Sequence, residues 1–168
     1  ALVSPDRNDG RSFMAANLAV VFAQQGQRTL LIDANLRHPR QHLLFKTGKN
    51  PGLAGLLAQR AMPELVTPVE ALPLSLLPAG LVPPNPQELL GRSSFGELLL
   101  RAEKQFDVVL IDTPAGSECS DDEIIATSAG AALLVVRQHH SVLSHAARLA
   151  QRLTDSGVSV VGSVINDV

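Results

Sequence analysis

The sequence predicts an α/β domain: a doubly wound, mainly parallel sheet with helices on both faces. Three observations carry this. Short apolar runs alternate along the chain with stretches of helical periodicity. The apolar runs are continuous rather than alternating, as strands covered on both sides require. The residues with chemical use, Asp33, Gly80, Asp112, Arg137 and Asn166, follow those runs. That is the carboxyl edge of a parallel sheet, where open α/β folds bind ligands.

Taken in order, "ALVS" reads as the end of a strand. Residues 12–25 read as a helix whose apolar face carries Phe13, Asn17 and Val20 or Val21, with Gly26 as its stop. "RTLLID" (28–33) is a buried strand ending in an acid, and "GLAGLLAQ" (52–59) a short helix. "LSLLPAG" (74–80) reads as strand then loop, followed by helices over 86–91 and 94–105. "FDVVLID" (106–112) and "AALLVVR" (131–137) are further buried strands. An amphipathic helix over 142–155 and a strand over 158–166 complete the series. Asp121, Asp122 and Glu123 fit a helix N-terminus, where negative charge is favoured.

The 168 residues are read as one domain, 1–168. Opening in a strand end and stopping just after "VINDV", the chain is expected to have flanking sequence on both sides. A net charge of −2 gives no polyanion-binding surface, and the absence of Tyr and Trp removes the usual base-stacking platforms, so no nucleic-acid partner is expected. The lone cysteine, Cys119, cannot form an internal disulfide, which fits a reducing cytosolic setting. It reads as a small residue near a loop. His139, His140 and His145 lack a fourth ligand at metal spacing and read as a solvated loop and helix start.

The chemistry concentrates in "SPDRNDGRS", Ser4 to Ser12. A strand, a glycine-bearing loop and a helix beginning at Ser12 are the context of a phosphate loop. Backbone N–H groups of such a loop and of the helix's first turn cradle phosphate without help from a lysine. Gly10 permits close approach, and Asn8 tolerates positive φ. Arg11 keeps a positive charge on a bulkier, planar group. Ser12 offers a hydroxyl to magnesium. Asp6 and Asp9 oppose phosphate unless they point outward. Alone, the stretch reads equally as a polar turn capping a helix. Asp33 and Asp112 tilt the balance: each by itself could be a helix N-cap, but two strand-end carboxylates facing such a loop suit a magnesium–nucleotide site.

These stretches resemble the bacterial tyrosine kinases (BY-kinases) within the MinD/ParA-like P-loop ATPases. The resemblance rests on a degenerate Walker A loop, a Walker A′ strand "LLIDANLRHPRQHLLF" and a Walker B strand "VVLIDTP". It is narrowed to the chain-length-determinant, EpsG-like branch by "LLPAGLVPPNPQELLGR" and by Arg37, Pro39, His42 and Phe45. It covers essentially the whole chain. It implies an ATP-dependent protein tyrosine kinase of exopolysaccharide or capsule chain-length control and export, with ATP/ADP and Mg2+ as cofactors. Asn8, Asp9, Gly10, Arg11, Ser12 and Phe13 would hold the nucleotide, with Asn166 and Arg137 on the adenine side. Ser12, Asp33 and Asp112 would organise the metal, and Asp33, Arg11 and Asp112 would carry catalysis, Asp33 by activating the tyrosine hydroxyl. The implied partners are a Wzz-like chain-length regulator of the inner membrane, further copies in a ring and a tyrosine-bearing substrate. The implied location is the cytoplasmic face of that membrane.

Three departures from the family pattern bear on activity. Position 11 is usually lysine and position 35 usually a second aspartate, where this chain has Arg11 and Asn35. An amide is neither a carboxylate ligand nor a base. The family's C-terminal tyrosine cluster has no counterpart in these residues, which contain no tyrosine. A catalytically impaired nucleotide switch in the same machinery is therefore the alternative. A ParA/MinD-like partitioning ATPase is a third reading, but it calls for a DNA-binding surface or an amphipathic membrane tail, and the sequence displays neither.

Overall fold

The computed structural model describes residues 1–49, 52–59, 66–69 and 71–167. Among these, the strands are β1 (Leu2–Val3), β2 (Thr29–Asp33), β3 (Thr67–Val69), β4 (Leu74–Leu77), β5 (Val108–Asp112), β6 (Ala131–Arg137) and β7 (Ser159–Asn166). The helices are α1 (Arg11–Gln24), α2 (Gln41–Leu44), α3 (Gly52–Gln59), α4 (Pro86–Leu90), α5 (Ser93–Gln105), α6 (Asp121–Ala129) and α7 (Leu143–Asp155).

The strands form one sheet in the order β3-β4-β2-β5-β1-β6-β7, parallel throughout except for β3, which runs antiparallel at one edge. The expected architecture is therefore present. In β2, Leu30 and Ile32 enter the core beneath α3 to α6, while Leu31 enters the opposite core beneath α1. This strand is buried at every position. Each such Leu or Ile contributes about 1.5–3 kcal/mol by burial, so two-sided coverage rather than local propensity fixes these strands.

The structure corrects the expected face of α1. Phe13 and Val21 are exposed, and the buried face is Ala15, Ala16, Ala19 and Ala23. The helix packs against β1, β2, β4, β5 and β6. Small alanines let its axis lie close to the sheet, whereas Phe or Val on that face would hold it away. The sequence also gave no warning of α2, a single turn, or of β3, whose Pro68 suits only an edge strand.

The "PAG" segment after β4 has a definite task. Pro78 O and Ala79 O accept the N–H groups of Leu53 and Ala54, at 2.7 and 2.8 Å, capping the N-terminus of α3. Gly52 has φ +61°, and a Cβ there would stand 2.7 Å from Pro78 O and collide with the Gly80 backbone.

Candidate nucleotide site

β1 lies between β5 and β6, and successive crossovers diverge there, so the loop after β1 sits at the switch point of the sheet. Asn8 (φ 63°) and Gly10 (φ 84°) take left-handed conformations, folding residues 4–10 into a concave turn. A Cβ on Gly10 would run into the Asn166 amide. No side chain caps α1, and its first helical bond runs from Met14 N–H to Gly10 O. The N–H groups of Arg11, Ser12 and Phe13 consequently have no acceptor among the described residues. They lie at a cavity of about 210 Å³ bordered by residues 7–13 and by Asn35, His38, Arg40, Leu44, Ala115 and Glu118. An open helix N-terminus beside arginine side chains favours a bound anion.

Asp9 borders the cavity but is buried, and both its carboxylate oxygens are engaged within the fold. Its Oδ2 accepts the Asp6 N–H at 2.9 Å, and its Oδ1 accepts the Ser141 hydroxyl at 2.6 Å. The acid that threatened phosphate binding is a brace of the loop. Other groups from the β6–α7 connection grip the same segment. Arg137 Nη1 donates to Asn8 O, His140 Nε2 lies 3.1 Å from Arg7 O, and His145 Nδ1 lies 3.2 Å from Asp6 Oδ2. As expected, His139 and His140 lie exposed in a turn and His145 in the first turn of α7; the structure adds that His140 and His145 also contact the loop.

Asp33 and Asp112 are register partners at the ends of adjacent strands, and both are fully buried. Asp112 Oδ1 accepts Arg11 Nε at 3.2 Å, and Arg11 Nη1 donates to Ser4 Oγ at 2.5 Å. Asp112 Oδ2 accepts Gln41 Nε2 at 2.8 Å. Asp33 instead organises the segment after β2: Oδ1 accepts the Asn35 N–H, and Oδ2 accepts those of Arg40 and Gln41. Burial, then the nearby Asp112 carboxylate, pushes the Asp33 carboxyl up to about 7 against the opposing pull of those three N–H groups. Asn35 Oδ1 accepts the His38 N–H, which leaves the amide nitrogen as the polar group it offers the cavity. Arg37 pairs through Nε with buried Asp121 at 2.8 Å, tying residues 35–41 to the start of α6. Cys119 is held toward the thiol by burial, the wrong direction for a nucleophile.

The residues expected from sequence thus fall into three positions. Asn8, Asp9, Gly10, Arg11, Ser12 and Phe13 border the cavity. Asp33 and Asp112 lie behind it, joined to it by Arg11 and Gln41. Arg137 and buried Asn166 back the loop from β6 and β7, with Asn166 Nδ2 donating to Asp9 O at 3.2 Å. Sequence reasoning missed Gln41, Ser4 and Ser141. The signal for Ser4 was its place directly after a strand; Gln41, between Arg40 and His42, looks like a solvent-facing residue.

No family model matches the chain. Among curated proteins it is 40% identical over 166 residues to a putative tyrosine-protein kinase EpsB of Ralstonia solanacearum, covering 98% of this chain and 22% of that protein. It is 31% identical to a putative tyrosine-protein kinase CapB of Staphylococcus aureus, covering 98% of this chain and 73% of the relative. Among solved structures, the kinase domain of Escherichia coli tyrosine kinase ETK superposes with a TM-score of 0.93 at 32% identity, covering 99% of this chain and 66% of that one. The chimerical protein CapA2B2 gives 0.93 at 30%, covering 99% and 74%. The septum site-determining protein MinD of Pyrococcus horikoshii, complexed with Mg-ADP, gives 0.86 at 23%, covering 98% and 68%; this likeness extends to the fold alone. The chain spans about a fifth of EpsB but most of CapB, and its strand-end acids and glycine loop lie within both matched stretches. It belongs to the bacterial tyrosine kinase family, whose P-loop fold it shares with MinD.

Proposed function

We propose that this chain is the catalytic domain of an ATP-dependent protein tyrosine kinase acting in exopolysaccharide or capsule chain-length control. One observation carries the reading: the uncapped N-terminus of α1 opens on a cavity beside arginine side chains, with two register-paired carboxylates directly behind it. Phosphoryl transfer asks mainly for positioning and charge neutralisation, and these groups supply both. The N–H groups of residues 11–13 and the Arg11 guanidinium would receive phosphate oxygens. Arg137 and Asn166 would stand on the adenine side.

The donor set fits magnesium. Among the described residues no three His, Cys, Asp or Glu side chains gather into a cage. Magnesium needs none, since it keeps waters and takes one or two carboxylates plus phosphates. Ser12 would offer its hydroxyl, with Asp112 and Asp33 behind it. The buried Gln41 Oε1, an acceptor without a donor among the described residues, suits a site completed by hydration water. When bound, the ion would neutralise charge on the transferring phosphoryl group. Asp33, with its raised proton affinity, is the group proposed to take the tyrosine proton. To do so it must be released by residues 35–41, whose N–H groups now occupy it.

Likeness to the putative tyrosine-protein kinase CapB and to the chimerical protein CapA2B2 supports a Wzz-like membrane adaptor as partner and, with it, a site of action at the inner face of the inner membrane. No described helix is long and apolar enough to cross a membrane. A homo-oligomeric ring belongs to the same proposal. The test is transfer of the γ-phosphate from ATP to tyrosine in a Tyr-bearing peptide by the chain joined to its adaptor. Labelling supports the kinase; ADP binding with no labelling supports the second reading.

That second reading, a nucleotide switch, is favoured by Asn35 at the cavity and by Arg11 turned onto Asp112. It expects Asn35→Asp with Arg11→Lys to create turnover absent from the parent. Equal turnover in parent and double variant counts against it.

A further inference from the structure

Gln41 is the most connected side chain behind the cavity, and nothing in the motifs singles it out. It is fully buried at the start of α2. Its backbone N–H donates to Asp33 Oδ2 at 2.9 Å. Its Nε2 donates both to Asp112 Oδ2 at 2.8 Å and to Ser12 O, in the first turn of α1, at 2.9 Å. One residue therefore touches both acids and the helix turn that faces the cavity. Both donor hydrogens of the amide are spent, and among the described residues Oε1 has no hydrogen-bond partner. Buried acceptors are rarely left in this condition without a reason. An amide is also the right chemistry for the place: a neutral donor holds a carboxylate without competing for its charge, as a lysine or arginine would. Arg11 already supplies the cation on the other oxygen, Oδ1.

We propose that Gln41 is a positioning residue of the nucleotide site: it fixes the Asp112 carboxylate against the first turn of α1, and its Oε1 accepts a hydrogen bond from water carried in with a divalent cation. This rests on the reading of the cavity as a magnesium–nucleotide site. It predicts a particular division of labour. Phosphate recognition belongs to the loop and the N–H groups of α1, which Gln41 does not contact, apart from the carbonyl of Ser12. The gain in affinity from magnesium belongs to the acids that Gln41 orients.

The experiment is calorimetric titration of the 168-residue chain with ADP, with and without magnesium, for wild type and for Gln41→Met, which keeps the volume and removes both amide functions. Wild type is expected to bind ADP more tightly with magnesium by about tenfold or more. In Gln41→Met the ratio should fall to within about twofold while affinity for ADP alone holds. If Gln41→Met does not fold, Gln41→Asn, one methylene short of Asp112 and Ser12, carries the same comparison. Retention of the magnesium ratio overturns the proposal. So does an equal loss with and without magnesium, the mark of a merely structural role. If wild type itself binds no ADP, the reading of the cavity fails first, and the outcome is distinct from either of these.

Discussion

Arg11 and Asp112 form a buried pair that a single substitution leaves half-made. Arg11→Ala strands the Asp112 carboxylate with only the Gln41 amide beside it. Losing one partner of such a pair costs about 3–5 kcal/mol, and urea unfolding should register it. Arg11→Lys keeps the charge but cannot reach Asp112 and Ser4 together through two separate nitrogens, so a smaller loss of about 1–2 kcal/mol is expected. Proton linkage gives a second prediction. Burial raises the carboxyls of Asp33 to about 7 and of Asp122 to about 6, from an ordinary 3.8. The folded chain therefore holds protons that the unfolded chain has released. Stability contributed by these two groups is full below about pH 4 and is lost as pH rises toward 7. Among the described residues neither oxygen of Asp122 has a close hydrogen-bond partner, and burial outweighs the opposing pull of the Glu123 N–H and the Arg152 charge. Asp122→Asn should flatten the upper part of that slope and stabilise the chain at pH 8 by on the order of 2 kcal/mol. Melting temperatures of wild type and variant between pH 4 and 8 check both the sign and the flattening.

At the scale of elements, α1 and α3 are each placed by a glycine at the amino end. Gly52→Ala would push a Cβ into the backbone of residues 78–80, where the first N–H groups of α3 are capped. Backbone cannot yield as a flexible side chain can, so a loss of about 2–4 kcal/mol is expected in denaturant titration. These elements also separate what the sequence disclosed from what it hid. β2, β5 and β6 were legible because a two-sided environment writes itself as an unbroken apolar run. α5 and α7 were legible because each buries one stripe, Phe95, Leu99 and Ala102 in one and Ala146, Leu149 and Leu153 in the other. The face of α1 was not, because close packing on the sheet selects alanine, and hydrophobicity ranks Phe13 and Val21 above it. α2 and β3 are too short to display a period.

For the whole molecule, the topology brings three distant stretches to one place. Residues 4–12 follow β1, residues 33–41 follow β2, and Asp112 ends β5 beside them. The motif residues were legible because each strand-end position announces itself locally. Their cross-links were not: Gln41 to Asp112 spans 71 residues of sequence and Ser141 to Asp9 spans 132. Only the parallel register makes them neighbours. The central claim is that this assembled edge holds a magnesium nucleotide through the loop backbone and the start of α1. Calorimetric titration with ADP and magnesium, run on wild type and on Gly10→Ala, tests it most directly. Gly10 requires φ 84° and leaves no room for a Cβ beside Asn166. The account predicts saturable one-to-one binding by wild type, weakened by about tenfold or more in a folded Gly10→Ala variant. Absence of binding to wild type, or equal affinity in the two proteins, would contradict it.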